Sequence, residues 1–149
     1  MALLAEGPEK LGLLGQQAIA GKVAPPPSGQ RTFTENLAHL LNCEARSSEA
    51  IYLALLADDP LFLDIHPERQ WGKLLHYERL SDEELLAYFN FRRTVLLRVL
   101  ASLSDEQWAR TISEPGKKRK ESVYWRARTM ALHELEHLTE MTTFFSTTA

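Results

Sequence analysis

Two histidines near the carboxyl end of the chain are spaced so that both could bind one metal ion. His133 and His137 lie four residues apart in the stretch MALHELEHLTEM. Residues four apart stack on one face of an α-helix, so two imidazoles at this spacing can hold a single divalent cation. The spacing leaves two interpretations open: a metal site, or a histidine pair satisfied by Glu140 or by a carboxylate of another helix.

The same stretch contains the letters His-Glu-x-x-His, which are the signature of zinc proteases with Glu134 as general base. Such an enzyme needs a third protein ligand to the zinc ion. Only twelve residues follow His137, and the one glutamate among them, Glu140, is on the same predicted helix. The continuation HLTEMTT also lacks the glycine and third histidine of the extended motif. The sequence therefore argues against a zinc protease.

A third histidine, His39, lies in a second predicted helix with the sequence FTENLAHLLNCE. It occupies the side of that helix opposite the apolar stripe through Leu37 and Leu41. If this side meets the helix of His133 and His137, the three imidazoles form a site with open coordination positions. Spacing alone does not establish that the two helices meet there.

Other potential ligands are Cys43 and the two remaining histidines. Cys43 follows His39 by four residues and could complete a closed site of four ligands, which would be structural rather than catalytic. The alternative for Cys43 is a small, half-buried apolar side chain. His66 and His76 fall in a predicted long loop, and we expect neither to be a ligand.

Several charged residues could assist such a site. Glu136 and Glu140 are candidates for orienting the imidazoles. Arg126 lies on the same helix face and could bind an anionic substrate, although a salt-bridged arginine is the more common case. The basic run KKRK, residues 117–120, could bind phosphate, but a short run in a turn is more commonly solvated.

Four helical patterns must position these residues. They span residues 8–21, about 34–57, from 81 onward, and about 122–145. The first is weakened by glycines, and the linker 24–30 follows it. Thr34 is the expected N-cap of the second helix, and Ser81 with Glu84 forms a capping box. Residues 60–80 are predicted to be a long loop.

The third helix is expected to bury one stripe of side chains, and no run of strands is evident. This stripe contains Leu85, Phe89, Arg92, Leu96, Val99 and Leu103. The pattern predicts an all-α fold, a four-helix bundle formed by a single domain of residues 1–149, with antiparallel neighbours where loops are short.

Composition narrows the class of protein further. The 149 residues are 44% hydrophobic and 25% charged, with a net charge of 17 − 20 = −3, which favours neither nucleic acid nor a membrane surface as partner. No stretch has the apolar length of a membrane span, and the start lacks the basic residues of a signal peptide. The single cysteine excludes an internal disulfide and favours a reducing compartment, so we expect a cytoplasmic protein.

Three stretches of the chain resemble the DinB/YfiT-like superfamily. RTFTENLAHLLNCE resembles its second-helix motif, ALHELEHLTEM its fourth-helix motif, and LSDEQW the turn after its third helix. The corresponding positions are Pro27-Ser28-Gly29, Phe33-Thr34, His39-Leu40, Glu44 and residues 103–108. Phe33 stands where the family commonly has tryptophan, and the first helix is weak, but neither departure affects the histidines.

The resemblance implies a four-helix bundle of up-down-down-up type, often a homodimer. It also implies a divalent metal, usually nickel or zinc, held by His39, His133 and His137. Some members of the family use a low-molecular-weight thiol such as bacillithiol, mycothiol or glutathione. The expected function is thus a divalent-metal-binding protein, either a thiol S-transferase or a related enzyme acting on a small molecule. The alternative is a helical bundle that binds a metal or small ligand without catalysis.

Overall fold

The computed structural model describes residues 1–23, 25–63 and 72–145. Four long helices make up most of the fold: α1 (Ala2–Ile19), α2 (Phe33–Leu56), α4 (Asp82–Ala101) and α6 (Val123–Phe145). Shorter elements connect them: α3 (Gly72–Leu75), a 3₁₀ turn (Tyr77–Arg79), α5 (Asp105–Ala109), and the paired two-residue strands β1 (Thr111–Ile112) and β2 (Glu121–Ser122). The predicted all-α four-helix bundle is confirmed.

Helices α1 and α2 are diagonal to each other, and each packs against both α4 and α6. Helices α2 and α4 run parallel. Near their starts, Thr34 donates a hydrogen bond to Asp82, and further along both helices Glu44 pairs with Arg93. The end of α2 and the start of α4 therefore lie at opposite ends of the bundle.

Helix α1 runs antiparallel to α4, because Gly15 lies against Leu86 while the earlier Gly7 lies against the later Arg93. Helix α6 runs antiparallel to α2, since His137 contacts His39 near the start of α2. These directions give the up-down-down-up order that the family resemblance implied.

The apolar core consists of two clusters stacked along the bundle. The lower cluster includes Leu11, Leu37, Leu41, Phe89 and Met141. The upper cluster includes Leu4, Ile51, Leu96, Ile112 and Met130. Charged residues at intermediate positions of three helices, Glu44, Arg93 and Glu134, are buried between the two clusters. The centre of the bundle is therefore polar.

The helix starts differ in part from the predictions. Ser81 and Glu84 form the predicted capping box of α4. Helix α2, however, is capped by Thr32, whose hydroxyl accepts from the backbone N–H of Glu35. Thr34 was the wrong residue, because its hydroxyl bonds to the start of α4 instead. Helix α1 begins at Ala2 rather than residue 8, and so contains Pro8.

The buried stripe of α4 also differs from the prediction. It runs through Leu85, Phe89, Arg93, Leu96 and Leu100, so the arginine in it is Arg93, not Arg92. Arg92 is only partly buried and donates to Ser48 Oγ. The full burial of Arg93 is explained by its partners on other helices.

The predicted loop at 60–80 is partly wrong, since residues 72–75 and 77–79 are helical. His66 lies outside the described residues. Among the helices that the structure describes, none is long and apolar enough to cross a membrane.

Candidate metal centre

The three histidines predicted to act together meet between α2 and α6. The Nε2 atom of His137 lies 3.1 Å from Nε2 of His39 and 3.2 Å from Nε2 of His133. One ring nitrogen from each residue can be chosen so that all three lie within 4.8 Å of one another. Each of the three residues is partly buried. The structure thus brings together the residues that the sequence analysis placed at one site.

The cluster fits a divalent cation. Imidazole nitrogens bound about 2.0–2.1 Å from a tetrahedral zinc ion are about 3.3 Å apart, close to the two measured separations. Without a cation, His137 Nε2 can either donate one hydrogen bond or accept one. It therefore cannot form a full hydrogen bond with both His39 and His133. A cation would accept a lone pair from all three rings at once, so the donor set suits a divalent transition metal.

A carboxylate lies behind one ring of the cluster. Glu140 Oε2 is 3.4 Å from His137 Nδ1, on the side away from the other imidazoles. Attraction to this carboxylate favours a proton on Nδ1 and leaves the Nε2 lone pair directed into the cluster. Burial and the charge of His133 lower the pKa of His137, and Glu140 opposes them only in part. A neutral ring, as a metal ligand must be, is therefore favoured.

Cys43 lies beside His39 rather than opposite it. Its Sγ is 3.7 Å from Nε2 and 3.9 Å from Nδ1 of the same ring. A sulfur that shared a cation with Nε2 would be about 5 Å or more from Nδ1, because Nδ1 is on the far side of the ring. The nearly equal distances favour the interpretation of Cys43 as a small side chain packed against the ring.

Comparison with known proteins identifies the family. A family model described as the DinB superfamily matches residues 22–141, most of the chain and all three histidines. This chain belongs to the DinB superfamily. The fold is also that of YfiT from Bacillus subtilis, described as a probable metal-dependent hydrolase with an unusual four-helix bundle topology. The match has a TM-score of 0.76 at 21% identity and covers 95% of this chain and 83% of YfiT. No curated protein is significantly similar to the chain.

In this DinB protein, the glutamate of the His-Glu-x-x-His letters is part of a buried ionic cluster. Both oxygens of Glu134 accept hydrogen bonds from Arg93, one of them at 3.0 Å. Arg93 also donates from Nε to Glu44 at 3.0 Å. Burial raises the pKa of Glu44 against the lowering effect of Arg93. For Arg93, burial lowers the pKa, but the bonds to the two carboxylates outweigh it and raise the value.

This ionic cluster is not among the sites predicted from the sequence. The family motif includes Glu44 without giving it a partner, and the predicted stripe of α4 contained Arg92 in place of Arg93. One signal was available: Arg93 lies four residues after Phe89 and three before Leu96, which is the spacing of the core face. A charge at such a position implies a buried partner of opposite sign.

Arg126, considered as a contact for an anionic substrate, is instead paired within the protein. It is 5% exposed and forms ion pairs with Glu114 and, at 2.7 Å, with Glu121. Glu114 is buried as well and is approached by Lys117 at 2.8 Å. The interpretation as a salt-bridged arginine is confirmed.

The basic run 117–120 is exposed but interacts with the fold. Lys117 pairs with Glu114 and Glu121, Lys120 pairs with Asp59, and Arg119 stacks on Trp125. These contacts hold the turn against the end of α2 and the start of α6. His76 is exposed and has a left-handed backbone conformation at the start of the 3₁₀ turn, φ 52°.

Proposed function

We propose that this DinB-superfamily protein binds one divalent cation through His39, His133 and His137 and acts as a metal-dependent enzyme on a small molecule. The observation that carries the proposal is the convergence of three imidazole Nε2 atoms, with two separations of 3.1 and 3.2 Å. Three protein ligands are the number found in catalytic zinc sites, where further positions stay open to water or substrate.

A cation in this position would act as a Lewis acid and lower the pKa of a water or thiol at its open positions. The chain itself supplies the rest of the site. The three imidazoles would fix the position of the cation, and Glu140 Oε2, 3.4 Å from His137 Nδ1, would favour the tautomer whose Nε2 lone pair points inward. The His137 side chain keeps 13% of its surface exposed, which is consistent with approach of a small substrate.

Two reaction classes are consistent with such a site. Transfer to or from a low-molecular-weight thiol such as bacillithiol, mycothiol or glutathione is supported by the resemblance to the family. Hydrolysis is supported by the structural similarity to YfiT, itself described as a probable metal-dependent hydrolase. The resemblance also supports nickel or zinc as the metal and a homodimer as the working form, and the single cysteine supports a cytoplasmic location. A metal-binding bundle without catalysis is the alternative.

Metal analysis tests the first part of the proposal. The protein is purified without chelator and without nickel resin, and metals are counted by mass spectrometry. We expect about one divalent cation per chain, lost in His39→Ala and in His137→Ala. His76→Ala is the matched control, because this exposed histidine lies outside the cluster, and it should retain the metal. Retention of the metal in all three variants would overturn the assignment of the site.

An activity panel tests the second part. The metal-loaded protein is assayed with each of the three thiols and an electrophilic acceptor, and separately with activated esters and amides without thiol. Turnover that requires both thiol and metal supports transfer, whereas turnover that requires only metal supports hydrolysis. A metal-loaded protein that is inactive in every assay favours the non-catalytic alternative.

A further inference from the structure

One arginine joins all four long helices at the level between the two core clusters. Arg93 of α4 is fully buried and donates to Glu44 of α2 and to Glu134 of α6. Its third partner is the backbone carbonyl of Leu4 in α1, 2.8 Å from Nη1. The guanidinium is planar and rigid, so the bonds at its different edges fix directions as well as distances.

Helix α1 is adapted locally to this contact. Pro8 has no N–H, so the carbonyl of Leu4, four residues earlier, is left without its usual helical donor. Arg93 provides the missing donor. Gly7 permits the close approach of the carboxylate, because a Cβ at this position would overlap Glu134 Oε1 and lie 3.2 Å from Arg93 Nη1. Residues 7 and 8 therefore accommodate the arginine and its partner.

The two carboxylates are attached to the helices that carry the histidines. Glu134 directly follows His133 in α6, and Glu44 follows His39 by five residues in α2. Because one guanidinium binds both carboxylates, a shift of α6 relative to α2 that separates the imidazoles also strains the bonds to Arg93. The separation of the two helices at the histidines is thus coupled to the ionic cluster.

We propose that Arg93 is a positioning residue of the three-histidine centre: by holding Glu44 and Glu134 together, it keeps α2 and α6 at the spacing at which the imidazoles converge. This inference rests on the proposed function, since it assumes that the imidazoles bind a cation. It predicts that substitutions in the ionic cluster weaken metal binding in protein that is still folded. If the ionic cluster only stabilised the bundle, the same substitutions would lower thermal stability and leave the metal affinity of the folded protein unchanged.

Gly7→Ala is the sharpest test. The substitution lies in α1, which carries no proposed ligand. Its new methyl group would overlap the Glu134 carboxylate and displace it. Gly12→Ala in the same helix is the matched control, because a Cβ there meets nothing within 4 Å. Two further variants act from inside the cluster. Arg93→Lys keeps the charge but loses the rigid fork, and Glu44→Asp keeps the charge but shortens the reach.

The measurements are the dissociation constant for zinc, from competition with a chromophoric chelator, and the visible absorption spectrum of the cobalt-loaded protein. Circular dichroism confirms that each variant is folded. We expect Gly7→Ala, Arg93→Lys and Glu44→Asp to bind zinc about 10- to 100-fold more weakly, the range typical for partners that orient ligands. Their cobalt spectra should change as well, while Gly12→Ala stays within twofold of the unaltered protein.

The inference is wrong if the folded variants bind zinc with unaltered affinity and an unaltered cobalt spectrum. If one substitution prevents folding, the remaining two decide the question by the same criteria. If the unaltered protein binds neither metal, the proposed function fails and this inference fails with it, which distinguishes the two results.

Discussion

Glu134 places both of its carboxylate oxygens on the guanidinium of Arg93, although it is next to His133 in the sequence. A general base needs a lone pair directed at the water that it activates. Here both oxygens accept from a fully buried arginine, and the side chain is only 4% exposed. The letters His-Glu-x-x-His therefore contain two residues of the candidate centre and one residue of the core, and this placement of Glu134 agrees with the argument against a protease.

Substitution of Cys43 should leave the metal in place. Because its sulfur is almost equally distant from both nitrogens of His39, we expect Cys43→Ser to retain about one cation per chain, with affinity within about threefold. The cobalt-loaded protein should also lack an intense near-ultraviolet band from sulfur ligation. A strong band of this kind, absent in Cys43→Ser, would show that the site is closed by a thiolate and would remove the catalytic proposal.

The stability of the metal-free protein should decrease in mild acid. The pKa of His137 lies below its ordinary 6.5, because burial, His133 and Arg31 lower it. Glu140 and Glu136 raise the pKa, but they offset the decrease only in part. The unfolded chain then binds more protons than the folded one as the pH falls below 6.5. The contribution of His137 to the free energy of unfolding is therefore fully present above pH 6.5 and is lost progressively below it.

Urea unfolding with a chelator, measured between pH 5 and pH 8, checks this expectation. The free energy of unfolding should be nearly constant in the upper part of the range and should fall below about pH 6.5. His137→Gln removes the titrating group and should make the decrease shallower. An identical pH dependence in the two proteins would contradict the assignment to His137.

The sequence was sufficient for the fold and for the three candidate ligands. The histidines could be found because their spacing follows the helix period and because the motifs around His39 and His137 are those of the family. For Arg93, the helix period indicates a core position but not the residues that compensate its charge. Its burial depends on Glu44 and Glu134, which are 49 and 41 residues away along the chain. Periodicity within one helix carries no information about such partners.

The start of α2 provides a similar example, and it can be tested. Thr32 caps the helix, while Thr34 donates to Asp82 at 2.7 Å. Thr32→Ala and Thr34→Ala should each cost about 1 kcal/mol, the first through the lost cap and the second through the lost hydrogen bond.

Double-mutant cycles with Asp82→Ala separate the two roles. The free energy of unfolding should show a coupling of about 1 kcal/mol between Thr34 and Asp82 and almost none between Thr32 and Asp82. Equal coupling in both cycles would show that the two threonines share one role, contrary to the structure.

Arg126 should prove important for stability rather than for substrate binding. In Arg126→Met, the negative charge of the buried Glu114 loses one of its positively charged partners. Lys117 stays near Glu114, and so does Arg46, at 3.6 Å. The loss of one partner of a buried ion pair costs about 3 kcal/mol. Arg128→Met is the matched control on the same helix. Arg128 is exposed and stacks on Trp125, so its replacement should change stability by less than about 0.5 kcal/mol.

Urea unfolding of both variants measures the difference, and zinc titration of the folded proteins shows whether the candidate centre is affected. We expect Arg126→Met to unfold at a clearly lower urea concentration while binding zinc as the unaltered protein does. The reason is that Glu114 and Glu121 hold Arg126 at the end of the bundle where the β1–β2 pair lies, beside the upper core cluster. If Arg126→Met were as stable as Arg128→Met and instead lost activity, the arginine would have to leave these carboxylates and contact the substrate.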